Sequence, residues 1–131
     1  MNQTTWMVWL AVAGGSAAGG LIRHLLTESF GGASRGIPWV TIAVNAVGSL
    51  AIGAAFGLAT ADWPAPWPPA VRAGIMAGVL GGFTTFSAFS LQTVTLIHQG
   101  AWPSALANAL GSVIVGLVAC WAGLSMAVAV R

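Results

Sequence analysis

Charge is what this sequence has least of. Only 5% of its 131 residues are charged: four arginines, one Glu and one Asp, with no lysine. A soluble globule coats itself with polar side chains, and a chain that is 57% apolar and so poorly charged cannot. The pI near 10.2 follows from the shortage of acid. Four scattered arginines form no clustered basic face, so nucleic acid is not an expected partner. The single cysteine, Cys120, excludes an intrachain disulfide and a metal site built on thiolates, and reads as a small helix-packing residue. The N-terminus lacks the positive flank of a signal peptide, although Ala11-Val12-Ala13 imitates a cleavage site, and it reads as a retained first helix.

What the chain has instead is long uncharged runs, with a mean hydropathy of +0.88. They predict an all-α membrane protein of one four-helix domain, with spans at about 5–26, 38–61, 71–98 and 104–130. The first span centres on small residues, where Gly15 and Gly19 stand one turn apart and permit close contact with another helix. Pro38 opens the second span, which carries a Gly53/Gly57 pair and one strongly polar residue, Asn45, with Thr41 and Ser49 a turn to either side. Pro64, Pro66, Pro68 and Pro69 then forbid a helix between the second and third spans. In the fourth span Asn108, Ser112 and Gly116 stack on one face. Six of the seven tryptophans (Trp6, Trp9, Trp39, Trp63, Trp67 and Trp102) fall near span ends, as in an interfacial belt. His24 and His98 also lie near span ends and have no partners at metal-ligand spacing.

The third span is the anomalous one. As a straight helix it would measure roughly 40 Å against a hydrocarbon core of about 30 Å, and its middle reads Gly81-Gly82-Phe83-Thr84-Thr85-Phe86-Ser87-Ala88-Phe89-Ser90. Paired glycines loosen the backbone, and Thr and Ser offer it local hydrogen bonds in place of the helical ladder. The expectation is a helix broken near Gly81 to Thr85. Inside a bilayer such backbone survives only where protein or a watery cavity receives the freed polar groups.

With four spans, Arg72 and Arg131 fall on the side of the termini, and Arg23 and Arg35 on the other. Two against two gives the positive-inside rule no preferred direction. A chain with no preference can insert both ways and pair with an inverted copy of itself, which predicts an antiparallel homodimer, the two-copy analogue of an inverted-repeat transporter. The alternative is one fixed topology set by something other than charge.

No Asp, Glu or Lys lies within a span, which removes the carboxylate relay of a coupled exporter. A small proton-coupled multidrug exporter shares the size and topology, but Glu28 sits outside the span; a non-transporting scaffold leaves the polar third span unexplained. The polar inventory at membrane depth is amides, hydroxyls and ring edges: Asn45, Asn108, Thr41, Thr85, Ser87, Ser112, Phe86 and Phe89. Such groups present donors and the positive rim of the aromatic quadrupole, which suits passive conduction of a small anion that no full charge traps. On spacing alone, Phe86 and Phe89 fit core packing as well as a pore. Arg23 fits an interfacial anchor or a vestibule charge.

Three stretches, Gly19-Gly20-Leu21-Ile22-Arg23, Thr41-Ile42-Ala43-Val44-Asn45-Ala46-Val47-Gly48-Ser49 and the run from Gly81 to Ser90, occur in this order in so short a chain. In them the sequence resembles the Fluc (CrcB) family of fluoride channels over essentially all four helices. The resemblance implies a channel rather than an enzyme, with no catalytic residue: an antiparallel dimer in a bacterial inner membrane with two pores through which fluoride leaves the cytoplasm. By the same likeness Phe86 and Phe89 line the pores, Asn45 is the pore amide, and Ser87, Thr41 and Ser112 continue a polar track. Backbone carbonyls of Gly81 and Thr84 from both copies hold a structural Na⁺ at the dimer centre. The sequence departs from the family at Ala88, often a threonine, and at Gln92, a glutamate in some members.

Overall fold

The computed structural model describes residues 3–31, 36–61 and 65–130. Arg35, Arg131, Asp62, Trp63 and Pro64 lie outside them, so the arginine balance is described only at Arg23 and Arg72. Every regular element among the described residues is helical. Four helical stretches are long and apolar enough to cross a membrane: Thr4–Phe30, Trp39–Thr60, Pro69–His98 and Trp102–Ala129.

Helix α1 runs Gln3–Phe30, a turn beyond the expected end of the first span, so Glu28 extends on the same helix past the apolar stretch. Helix α2 runs Trp39–Thr60 directly after Pro38. The third stretch is composite. A short α3, Pro69–Ala73, begins on a proline, whose missing N–H costs nothing in a first turn. A π-helical segment follows over Gly74–Leu80, then one turn of α4 at Gly81–Phe83, and α5 from Phe86 to His98. Helix α6 spans Trp102–Ala129. Between α5 and α6 the chain reverses at Gly100, whose φ of 73° is open to glycine at little cost. Gly100 N–H returns to the Ile97 carbonyl and Ala101 N–H to that of Leu96, both at 2.9 Å, closing the end of α5 in a Schellman arrangement.

Lipid tails give apolar helices no hydrophobic reason to associate, so contact must come from close packing. Two seams of small residues supply it. Along one, α2 lies on α6: a Cβ on Gly53 would strike the Cys120 carbonyl, and one on Gly123 the Leu50 carbonyl. Along the other, α1 lies on the π-helical segment and α4, where Gly15 faces Gly74 and Gly78, and Gly82 packs on the Ser16 backbone. The buried apolar core is accordingly slight and rich in alanine (Ala55, Ala59, Ala105 and Ala127), while Leu10, Leu117 and Trp121 stand about 70% exposed on the outer faces. Trp6 and Trp9 meet edge to face near the start of α1, with centroids 5.5 Å apart.

Candidate functional site

Helical geometry stops at Phe83. Thr84 (φ −77°, ψ 157°) and Thr85 (φ −148°, ψ 116°) are extended, and α5 restarts at Phe86 with Thr85 as its N-cap, its Oγ1 accepting from Ala88 N–H at 3.2 Å. Asn45 reaches this point from α2 and grips a single residue twice. Its Oδ1 accepts Thr85 N–H at 2.8 Å and its Nδ2 donates to the Thr85 carbonyl at 3.1 Å. On the other side Arg23 Nε, from α1, donates to the Gly82 carbonyl at 3.2 Å. Both N–H and Oγ1 of Thr84 return to the Leu80 carbonyl at 3.0 Å. Gly48 of α2 makes room for this turn, since any side chain there would meet Thr84 Cγ2 and the Phe83 ring.

These bonds decide which carbonyls leave the helical ladder. In a continuous α-helix Thr85 N–H serves the Gly81 carbonyl and Ala88 N–H serves that of Thr84. Here both donors go to side chains instead, to Asn45 and to Thr85. Gly81 itself is exposed, and a Cβ there would have only the Met76 carbonyl within 4 Å.

Beside the interruption an open groove of about 450 Å³ brings together Asn45, Thr85, Phe86, Phe89 and Ser112, and no residue lining it carries a charge. The Phe86 and Phe89 rings stand 5.4 Å apart at 47°, and Phe86 is 79% exposed. Ser112 lines the groove, and its Oγ donates to Asn108 Oδ1 at 3.3 Å. Ser87 is exposed and lies outside the groove lining, 3.4 Å from Thr85 Oγ1.

Thr41 and Arg23 are placed elsewhere. Thr41, buried, lines a second cavity of about 470 Å³ with Trp39, Gln92, Thr95 and Gln99, in which Gln92 Oε1 is buried and makes no hydrogen bond within the described residues. Arg23 is half-buried against the Gly82 carbonyl. Sequence reasoning missed the roles of Thr85 as cap and as the residue Asn45 grips. A threonine just before a helical restart is an N-cap signal that was there to be read.

The profile of the family described as CrcB-like protein, Camphor Resistance (CrcB), matches residues 10–124. The chain belongs to the CrcB family. Similar proteins include the fluoride-specific ion channel FluC of Paramagnetospirillum magneticum, 43% identical over 89% of this chain and 92% of that one. FluC of Rhodospirillum rubrum is 41% identical over the same shares, and FluC of Nitrobacter winogradskyi 41% identical over 92% of this chain and 95% of its own. With four helices of spanning length, this CrcB chain is a multi-pass bacterial membrane protein.

Proposed function

We propose that this CrcB-family protein is a passive fluoride channel of the inner membrane, open to F⁻ and closed to larger anions. The relatives' names support the substrate, and the observation that carries the reading is the uncharged groove where Asn45, Phe86, Phe89 and Ser112 come together. Neutral donors and positive ring rims favour a small anion without holding it as a full charge does. Hydrogen fluoride entering an acid-exposed cell dissociates at the higher internal pH, so a leak for the anion is enough to empty the cell. Ser87 and Thr41 extend the polar path beyond the groove, and Arg23 serves as a structural or vestibular charge.

The working unit in this reading is an antiparallel homodimer. A groove open on one side and a Phe86 ring 79% exposed suit closure by a second copy. The carbonyls of Gly81 and Thr84, withdrawn from the helical ladder, are neutral oxygens of the kind that hard cations take. An inverted copy would supply the same two oxygens, completing a set that one chain alone does not provide. A Na⁺ held there supplies a fixed positive charge that favours an anion nearby.

The test is reconstitution into liposomes loaded with fluoride or chloride, with a potassium ionophore balancing charge and ion-selective electrodes outside. Fluoride efflux without chloride efflux is expected; equal release of the two would defeat the reading.

A further inference from the structure

We propose that Asn45 and Thr85 are positioning residues whose side chains take the two backbone donors that would close the helix, and so hold the Gly81 and Thr84 carbonyls out as cation ligands. The inference rests on the sodium site proposed above, and gives Asn45 a second part, as clamp, beside that of pore amide.

A backbone amide satisfied by nothing costs several kcal/mol in lipid, so the chain resumes an unbroken ladder wherever it can. Four peptide groups at the interruption each have a partner from outside the ladder or lose one to it. Asn45 Oδ1 holds Thr85 N–H, the natural donor to Gly81. Asn45 Nδ2 covers the Thr85 carbonyl, so the clamp leaves no uncompensated group on that residue. Thr85 Oγ1 holds Ala88 N–H, the natural donor to Thr84. Arg23 Nε covers the Gly82 carbonyl between them. Of the carbonyls that lose their helical donors here, Gly81 and Thr84 are the two whose donors these side chains have taken, while that of Phe83, served by Ser87 N–H in a continuous helix, is freed by the interruption itself. The Asn45 carboxamide uses its oxygen and one of its two N–H groups in the clamp, which leaves a single N–H for the groove.

The clamp also explains why the amide must be an amide. A hydroxyl cannot reach both N–H and C=O of one residue, and a carboxylate can accept but not donate.

The experiment measures thermal unfolding of the purified, detergent-solubilised protein in sodium chloride against N-methylglucamine chloride. Alongside it, magic-angle-spinning spectra are recorded on protein carrying ¹³C-carbonyl and ¹⁵N threonine, which selects the Thr84–Thr85 peptide together with Thr4–Thr5. The wild type is expected to gain Tm specifically in sodium. Asn45→Ala and Thr85→Val should need roughly 10–100-fold more sodium for the same gain, the usual loss when a group that orients a ligand is removed. Thr85→Ser, which keeps the cap oxygen, should retain the response. The Thr84 carbonyl signal should move to helical values in Asn45→Ala. An unchanged sodium response and an unmoved signal in Asn45→Ala overturn the proposal. If Asn45→Ala fails to assemble, the Thr85→Val and Thr85→Ser pair decides by the same two readouts, with ¹⁵N-valine or ¹⁵N-serine in place of ¹⁵N-threonine so that the Thr84 carbonyl stays selected. If the wild type shows no sodium response, the sodium site falls, and the spectra judge the clamp alone: a moved signal upholds it, an unmoved one removes it.

Discussion

Asn108, with none of its surface exposed, donates from Nδ2 to Thr93 Oγ1 at 2.8 Å. Thr93 Oγ1 in turn donates to the Phe89 carbonyl at 2.9 Å, so α6 is tied to the turn of α5 that bears one of the two groove phenylalanines. Buried hydrogen bonds between membrane helices average about 0.6 kcal/mol and reach roughly 1.7. Asn108→Ala should therefore cost about 1 kcal/mol of stability in a reversible unfolding titration, with residual fluoride flux following the folded fraction. A loss of flux in fully folded protein would place Asn108 on the ion path instead.

Phe86 and Phe89 behave differently. Replacing either with isoleucine keeps an apolar side chain but removes the ring edge. Fluoride efflux from liposomes should fall by an order of magnitude or more while the dimer still forms in gel filtration. Near-normal efflux from a properly assembled Phe86→Ile/Phe89→Ile double variant would remove both from the pore.

The glycine seams separate into intolerant and tolerant positions. At Gly53 and Gly123 a Cβ would meet backbone of the facing helix, and backbone cannot rotate aside. Gly53→Ala and Gly123→Ala should abolish assembly of α2 on α6 and cut the yield of folded protein sharply. Gly14 has nothing within 4 Å of an added Cβ, so Gly14→Ala should be neutral or gain roughly 0.5–1 kcal/mol from helix propensity. Yield and Tm of the three variants, side by side, check the contrast.

How much of this was open to a reader of the sequence depends on the range of the interaction. Helix length, the proline stop before α3 and the tryptophans at span ends follow from local chemistry and lipid thickness, and all are in the residue order. Thr41, Asn45 and Ser49 are also one face of one helix, yet Thr41 lines a separate cavity together with Gln92 while Asn45 meets Thr85, because what a helical face touches is set by its neighbours. The π-helical register of Gly74–Leu80 carries no residue signal beyond two glycines, and it arises where Gly74 and Gly78 lie against α1. Asn45 announced itself as polar in lipid; that it would grip Thr85 from both ends needed the third stretch in place.

Insertion gives the last test. Arg23 and Arg72, with Arg35 and Arg131, predict no preferred orientation, so a C-terminal tag should be reached from both faces of the membrane in comparable amounts. Lysines added after Val130 should bias insertion, deplete flux, and be rescued by co-expression with a copy carrying lysines beside Gly36. Strictly one-sided labelling of the unmodified protein with intact flux would dispose of the antiparallel model.

The seam between Gly53 and Gly123 joins a helix made early to the one made last. At about 5–20 residues per second, α2 waits several seconds in the bilayer before its principal neighbour leaves the ribosome. Throughout that interval its glycine face is open to whatever else is present, including a neighbouring nascent chain. Biogenesis thus has a vulnerable window, and release of the final helix closes it.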